Sequence, residues 1–345
     1  MIPTWRTFLQ DCSAVIDNDC VIHFGDITTE LSHTQTDTVM VDLSHFGLIS
    51  FSGEEAQSFL QRQLSCDVRK VNLHTAQYGS YCTPKGRILT SFLLWQNEDF
   101  LMQLPASLCA YIQKRLSMFV LRTKVQLTDY SDTWVRIGLA GKHASMLVEE
   151  ISDAKLNPAQ HLSLLHSEPT SIICYTKNRF ELITSIENAP VLWTQLNQYA
   201  KPAGAACWDW LEIHAGIPII LPITQEQFVP QMVNLDTIGG VSFEKGCYPG
   251  QEIVARTQHL GKIKRRMYLA NIPSKMPVSS GDELFSSKAA DQSCGKIVNA
   301  APSPDGGFDV LAVIQVSSVE AGEIHWQALD GPILEIMELP YSLNS

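Results

Sequence analysis

The stretch GGVSFEKGCYPGQEIVAR, residues 239–256, combines a glycine-rich turn with a helix start and is the most informative part of the sequence for fold and function. It predicts a strand, a tight turn at Gly246 and a helix that begins at Pro249, where proline's missing N–H costs nothing. Cys247 then lies just before a helix N-terminus and two residues from Lys245. Because both features favour a thiolate, Cys247 is a candidate reactive group and Lys245 its candidate partner.

The other side chains of this stretch are expected to shape the loop. Glu252 complements the helix dipole and forms an i,i+4 pair with Arg256. We expect Gln251, Glu252 and Arg256 to hold the loop rather than contact a substrate. The alternative for Cys247 is that it fills a small pocket, since most lone cysteines are unreactive. The motif positions are Gly246, Tyr248, Gly250, Gln251, Glu252 and Arg256.

Residues 245–252, KGCYPGQE, match the signature of the YgfZ family of folate-binding proteins. Further stretches resemble other parts of that family, so the similarity runs from about residue 40 to the end of the chain. They are FLQRQL at 59–64, EIHAGIP at 212–218, FVPQ at 228–231 and LPYSL at 339–343. The resemblance implies the fold of the T protein of the glycine cleavage system, with three domains around a central folate-binding opening.

The patterning of the chain itself predicts an α+β protein. A β-α-β-β-α order from 134 to 199 outlines a ferredoxin-like middle part. Short alternating runs split by turn residues predict a C-terminal β-barrel. These runs are 267–270, 283–285, 295–298, 308–316, 324–328 and 333–337.

This patterning and the resemblance together give the predicted domains. They are an N-terminal arm at 1–38 with one strand at most, a folate-binding domain split between 39–130 and 201–260, the ferredoxin-like domain at 131–200 and the barrel at 262–340.

The resemblance also implies a function. Family members bind a reduced folate, tetrahydrofolate or a related form, and support iron–sulfur enzymes, including one that thiomethylates tRNA. In the family, two aromatic positions are associated with folate binding, and they correspond to Trp208 and Phe46 in this sequence. At the position of Phe46, close relatives have tryptophan. Phenylalanine offers a smaller flat face and no indole N–H. The alternative for Trp208 is an ordinary core aromatic residue.

One departure from the T protein concerns catalysis. The T protein has paired aspartates in the strand after its hairpin, and the aligned residues here are Thr90 and Ser91. Neither hydroxyl can replace a carboxylate as a base at pH 7. Aminomethyl transfer by that route is not expected, and enzymatic activity stays open. The rival functions are a folate-dependent one-carbon transferase or demethylase of unknown substrate, and a pure interaction module.

Charge narrows the partners. The chain has 345 residues and a formal net charge of −11, which argues against a general nucleic-acid or membrane-surface binder. From Glu244 to Arg266 the sequence contains six lysines and arginines but only two glutamates. This basic stretch could bind the glutamate tail of a folate, RNA or an acidic partner, or it could be a solvated strand edge. The expected partners are folate and iron–sulfur enzymes or their assembly factors. We expect no direct contact with nucleic acid or membranes, and we expect the protein to be a monomer.

The cysteines and the N-terminus bear on location. The nine cysteines are scattered, without a Cys-x-x-Cys pair, so we expect reduced thiols, most of them in the core, and no preformed metal site. The first residues lack the features of a signal peptide, and no apolar run reaches the roughly 18 residues of a membrane span. The sequence therefore predicts a cytoplasmic protein.

Overall fold

The structure, a computed structural model, describes residues 1–152, 161–259, 263–289 and 292–343. Its helices are α1 Pro3–Asp11, α2 Ile27–Thr36, α3 Ala56–Gln63, α4 Ala106–Ser117, α5 Ala144–Ser152, α6 Ala189–Leu196, α7 Ala205–His214, α8 Gln251–His259 and α9 Val316–Val319. Its strands are β1 Val15–Asp17, β2 Cys20–His23, β3 Thr38–Asp42, β4 Phe46–Ser52, β5 Gln77–Cys82, β6 Ile88–Gln96, β7 Phe100–Pro105, β8 Gln126–Asp129, β9 Val135–Gly141, β10 Ser163–Ser167, β11 Thr170–Thr176, β12 Arg179–Thr184, β13 Lys201–Ala203, β14 Arg265–Ile272, β15 Glu283–Phe285, β16 Ser293–Pro302, β17 Phe308–Gln315, β18 His325–Trp326 and β19 Glu335–Met337. The predicted α+β class is confirmed.

The first large sheet separates two cores. Its strand order is β5-β6-β7-β4-β8, with antiparallel neighbours. Side chains of β6 alternate between the faces: Leu93 and Trp95 enter the central core, whereas Phe92 and Leu94 enter a core under α3 and α4. This period of two explains why β6 is apolar along most of its length, since both of its faces are covered.

The second sheet joins distant parts of the chain. Its order is β10-β11-β12-β9-β3-β13, so β3 lies between β9 of the middle segment and β13, which follows that segment in the chain. It pairs antiparallel with β9 and parallel with β13. All five residues of β3 are buried, as expected of an internal strand. The ferredoxin-like part predicted at 131–200 is therefore continued by strands from the segments on either side.

The prediction of an N-terminal arm with one strand at most was wrong. Residues 1–38 form α1, the β1–β2 hairpin and α2. Helix α1 has Pro3 in its first turn and buries Trp5 and Leu9, four residues apart, on one face. The indole Nε1 of Trp5 donates to Asp42 Oδ1 at 2.7 Å, which fixes the helix against β3.

The C-terminal segment forms the strands predicted for it. The sheet order is β18-β15-β16-β17-β14-β19, and β18 and β19 are its edges, so the sheet is a curled half-barrel rather than a closed barrel. Helix α7 is anchored to it through Asp309 on β17. Asp309 Oδ2 accepts a hydrogen bond from Trp210 Nε1 at 2.7 Å and also lies 2.7 Å from His214 Nε2. The central core contains residues from all three large sheets.

Candidate functional site

Two adjoining cavities open where the three large sheets meet around α7. The first, of about 440 Å³ with its mouth included, is the Tyr175 compartment, lined among others by Phe46, Tyr78, Ser91, Gln103, Tyr175 and Glu212. The second, of about 920 Å³ on the same basis, is the Asp209 compartment, lined among others by Cys20, His45, Phe46, Asp209, Glu212 and Asn299. Because Phe46 and Glu212 line both, we treat them as one central cleft. Its lining of apolar and aromatic side chains with a few polar groups is typical of small-molecule sites.

Regular elements position the side chains of the cleft. Phe46 begins β4 immediately after the turn that follows β3, where its N–H donates to Leu43 O at 3.0 Å. Asp209 and Glu212 are three residues apart on α7, so they project from one face of that helix. Tyr175 comes from β11 of the second sheet. Helices and strands therefore position these side chains of the cleft.

A buried cation supports the Tyr175 compartment from behind. The Arg179 guanidinium carbon lies 4.6 Å from the ring centroid of Tyr175 and 4.7 Å from that of Trp208. Arg179 also forms an ion pair with Glu212, and its Nη1 donates to Leu211 O at 3.2 Å. Each partner of the ion pair is only 7% exposed. This cation between two aromatic rings fixes the carboxylate that faces the cleft.

A second polar network fixes the aromatic wall. Tyr175 Oη donates to Glu181 Oε2 at 2.6 Å, and Gln103 Nε2 donates to the same oxygen at 3.0 Å. Arg136 Nη1 donates to Gln103 Oε1 at 3.0 Å, and its Nη2 donates to the carbonyl of Phe46. Burial raises the pKa of Glu181, whereas the Arg136 charge opposes that shift. The network connects the two sides of the cleft through charge-assisted bonds.

The Asp209 compartment contains an imidazole and a carboxyl group close together. His45 Nε2 lies 3.8 Å from Asp209 Oδ1. Burial, aided by Arg136, lowers the pKa of His45 to about 3, so the ring is neutral at pH 7 and this contact is not an ion pair. Partial burial and the charge of Glu212 raise the pKa of Asp209, and because its side chain is 43% exposed, solvent screening limits that shift. A carboxyl with a raised pKa in a cleft is suited to proton transfer.

Sequence reasoning missed most of these cleft residues. It did not identify Asp209, Glu212, Tyr175 or Arg179. The available signal was the pair of acids three residues apart on an otherwise apolar helix, AACWDWLEIH. Acids at that spacing on a helix that packs into a core need partners, and they point to a buried site.

The two predicted aromatic residues occupy different positions. Phe46 lines both compartments. Trp208 is fully buried and does not line the cleft; its ring packs against Arg179 and against Gly138, where a Cβ would lie 2.5 Å from the ring. Trp208 therefore supports the wall from behind. That either residue contacts a folate stays a prediction.

The signature loop departs from expectation at Lys245. Its Nζ donates to Leu64 O and to Cys66 O, both at 2.7 Å, in the linker between α3 and β5. Burial lowers the pKa of Lys245 to about 8, and the charges that act on it belong to Cys66, Asp67 and Arg69. The expectation that Lys245 polarises Cys247 was therefore wrong. Cys247 itself is exposed, and its reactivity stays a prediction.

The rest of the loop packs against the β5–β6 hairpin. Helix α8 begins at Gln251, two residues later than predicted, and Gln251 Nε2 donates to Lys245 O at 3.2 Å. Gly250 has φ +83°, and a Cβ there would lie 2.5 Å from Thr83 O, so this close approach requires glycine.

The other motif residues divide between the interior and the surface. Tyr248 is buried, with its ring centroid 5.3 Å from Lys245 Nζ, whereas Gly246 has open space around it. Glu252 and Arg256 are both exposed and both within the described residues, and they form no ion pair with each other, so the predicted i,i+4 pair was wrong.

Two other predicted features have structural roles. The basic stretch is not a continuous surface patch, because Lys245 is buried and Arg266 pairs with Asp236 at 2.8 Å in the interior. Lys262, a further member, lies outside the described residues. Ser91 Oγ donates to Pro218 O at 2.7 Å and accepts from Ile220 N at 3.0 Å. Thr90 Oγ1 donates to Ser91 O at 2.9 Å.

The chain has the fold of the glycine cleavage system T proteins and contains a domain of their family. The GCVT N-terminal domain family matches residues 21–242. The glycine cleavage system aminomethyltransferase T of Bartonella henselae superposes with a TM-score of 0.80 over 99% of this chain and 98% of that chain, at 17% identity. The predicted T-protein-like architecture is thus confirmed.

Sequence comparison narrows the class. The tRNA-modifying protein YgfZ of Colwellia psychrerythraea strain 34H is 32% identical over 294 residues, 80% of this chain and 89% of that protein. The protein of the same name from Enterobacter sp. strain 638 is 30% identical over 309 residues, 88% and 94% of the two chains. The chain belongs to the YgfZ family.

Two structural features are absent from the described residues. No helix among them is long and apolar enough to cross a membrane. In the same residues, no group of three or more His, Cys, Asp or Glu side chains is arranged to hold a metal ion. The nine cysteines are free thiols, and six of them are buried, as the sequence predicted for most.

Proposed function

We propose that the protein binds a reduced folate, tetrahydrofolate or a related form, in the central cleft and thereby supports iron–sulfur enzymes and, indirectly, tRNA modification. The observation that carries this proposal is the lining of the Tyr175 compartment, where the rings of Phe46, Tyr78 and Tyr175 meet the carboxylate of Glu212. A folate has a flat ring system with N–H donors, which suits apolar faces beside a placed acceptor. The name of the YgfZ relatives supports the link to tRNA.

An accessory role fits the cleft better than the T-protein reaction does. Thr90 and Ser91 stand where the T protein has carboxylates, and each hydroxyl is engaged in a hydrogen bond to a backbone carbonyl. Neither can act as a base at pH 7. The proposal therefore contains no aminomethyl transfer, and the iron–sulfur link rests on the family resemblance.

A folate-dependent one-carbon transferase or demethylase is the second candidate function. Asp209 favours it, because a carboxyl with a raised pKa at the cleft can serve as a general acid or base. Turnover of tetrahydrofolate derivatives by the purified protein, abolished in Asp209→Asn, would establish this candidate. Absence of turnover with intact folate binding would favour the accessory role.

We place this activity in the cytoplasm and in a monomer. The support for the location is the set of nine free thiols, which are typical of a reducing compartment. The exposed thiol of Cys247 is the group proposed to contact a cluster or a client enzyme. A Cys247→Ala variant that fully complements a deletion strain would refute that contact.

Calorimetric titration with tetrahydrofolate and folic acid tests the binding proposal. We expect the wild type and Cys247→Ala to bind tetrahydrofolate equally, because Cys247 does not line the cleft. Trp208→Ala should bind more weakly, since the Arg179 stack behind Tyr175 loses one ring. Absence of binding of both folates to the wild type would refute the proposal.

A further inference from the structure

An exposed apolar and cationic surface lies at the C-terminal end of α4, outside the central cleft. We call it the α4 patch, and its members are Tyr111, Lys114, Met118, Phe119, Leu121 and Arg122. Three apolar side chains follow one another closely there: Met118 is 57% exposed, Phe119 50% and Leu121 90%. A single exposed apolar residue is ordinary, but such a group marks an interaction surface.

The backbone holds the α4 patch in a fixed shape. Tyr111, Lys114 and Met118 are spaced i, i+3 and i+7, so they share one face of α4. Hydrogen bonds order the turn that follows: Phe119 N donates to Leu116 O at 3.0 Å, and Thr123 N donates to Val120 O at 2.7 Å. Since the surface is already ordered, a partner that binds it incurs little entropic cost on this side.

The charge of the patch opposes that of the rest of the chain. From Phe100 to Thr128 the sequence contains four lysines and arginines and no aspartate or glutamate, although the whole chain carries −11. One of the four, Lys124, pairs with Glu54 at 2.7 Å. Within the described ranges, no carboxylate forms an ion pair with Lys114 or Arg122. These two cations flank the apolar side chains and are free to meet carboxylates of a partner.

We propose that the α4 patch docks an acidic segment of a partner protein, with apolar side chains covering Met118, Phe119 and Leu121 and carboxylates meeting Lys114 and Arg122. Tyrosine, phenylalanine, methionine and arginine are the residues enriched in the cores of protein–protein interfaces. An RNA or an anionic membrane fits less well, because the net charge of −11 repels a polyanion. Lipid-binding clusters also use about four to eight lysines or arginines. This proposal does not depend on folate binding.

Selection from a phage-displayed library of random peptides tests the chemistry of the partner. The wild-type protein is the bait, and enriched peptides are then titrated against variants. We expect them to combine aspartate or glutamate with apolar or aromatic residues. They should bind Phe119→Ser/Leu121→Glu and Lys114→Glu/Arg122→Glu at least about tenfold more weakly than the wild type.

Matched substitutions elsewhere on the surface control for changes in hydrophobicity and charge. Met276→Glu replaces an apolar side chain that is 59% exposed, and Lys177→Glu replaces an exposed cation. Both should bind the peptides as the wild type does. The proposal is overturned if no acidic peptides are enriched, or if they bind all variants equally. It is also overturned if phosphatidylserine vesicles or a single-stranded RNA bind through the patch while the peptides do not.

Discussion

The ion pair between Arg179 and Glu212 stands behind the wall of the central cleft, and its disruption should be costly. Replacing Arg179 with methionine keeps a long apolar side chain between the rings of Tyr175 and Trp208. The substitution removes the positive charge and the hydrogen bond to Leu211 O. Because both partners of the pair are only 7% exposed, the carboxylate of Glu212 is left in the interior without a counter-charge.

The size of the effect follows from that stranded charge. Removing one partner of a buried ion pair costs about 3–5 kcal/mol. The loss of the two cation–π contacts adds about 1 kcal/mol. We therefore expect Arg179→Met to lower the free energy of unfolding by about 4–6 kcal/mol. Adding Glu212→Gln removes the stranded charge and should restore about 2 kcal/mol.

Equilibrium unfolding in urea at pH 7 measures both effects, followed by tryptophan fluorescence and circular dichroism. Lys124→Met is the control, because it breaks the Lys124–Glu54 pair, whose side chains are 73% and 77% exposed. An exposed pair contributes about 0–1 kcal/mol. The reasoning is refuted if Arg179→Met costs no more than this control, or if the double variant is no more stable than Arg179→Met.

Three further predictions concern residues outside the cleft wall. Burial lowers the pKa of Lys245 from 10.5 to about 8, so between pH 8 and 10.5 the unfolded chain binds more protons than the folded one. The free energy of unfolding of the wild type, relative to that of Lys245→Met, should therefore rise with pH in that window. A difference in urea unfolding that does not change with pH would contradict this. Burial alone would raise the pKa of Asp309, but the hydrogen bonds from its imidazole, amide and indole neighbours outweigh it and lower that pKa. Asp309→Asn should therefore lower the free energy of unfolding by about 2 kcal/mol at pH 7, and this loss should vanish at acidic pH, where the wild-type carboxylate is protonated. An equal loss at pH 7 and at acidic pH in thermal unfolding would refute this. A thiol reagent should show a fast-reacting group in the native protein that Cys247→Ser removes and Cys66→Ser, at a buried position, retains; a fast phase that survives Cys247→Ser would contradict the exposure of that thiol.

Local sequence patterns predicted much of the fold. The C-terminal strands were found because each is a short alternating run bounded by glycine, proline or serine, and register within such runs is set by the buried face. The N-terminal helix was missed because its burial depends on a distant contact. Trp5 and Leu9 are an inconspicuous apolar pair until Asp42, on β3, accepts the indole N–H.

The site was less accessible than the fold to sequence reasoning. Arg179 and Glu212 are 33 positions apart, and only the docking of α7 on the second sheet brings them together. The direction of Lys245 is another non-local outcome, since the carbonyls it contacts belong to Leu64 and Cys66, about 180 positions earlier. Residue type and spacing along the chain do not indicate such long-range contacts. Lys245 was therefore predicted to polarise the thiol of Cys247, whereas in the structure it is a buried lysine that donates to backbone carbonyls.

The most direct test of the central claim is the affinity of tetrahydrofolate for a variant of the residue shared by both compartments of the cleft. Calorimetric titration of the wild type, Phe46→Ala and Tyr199→Ala makes the comparison, since Tyr199 is a 54% exposed aromatic residue outside the cleft. Loss of an aromatic face at a ligand should weaken binding by about tenfold or more. We predict that loss for Phe46→Ala and wild-type affinity for Tyr199→Ala. Equal affinity of Phe46→Ala and the wild type would contradict a folate site in the central cleft.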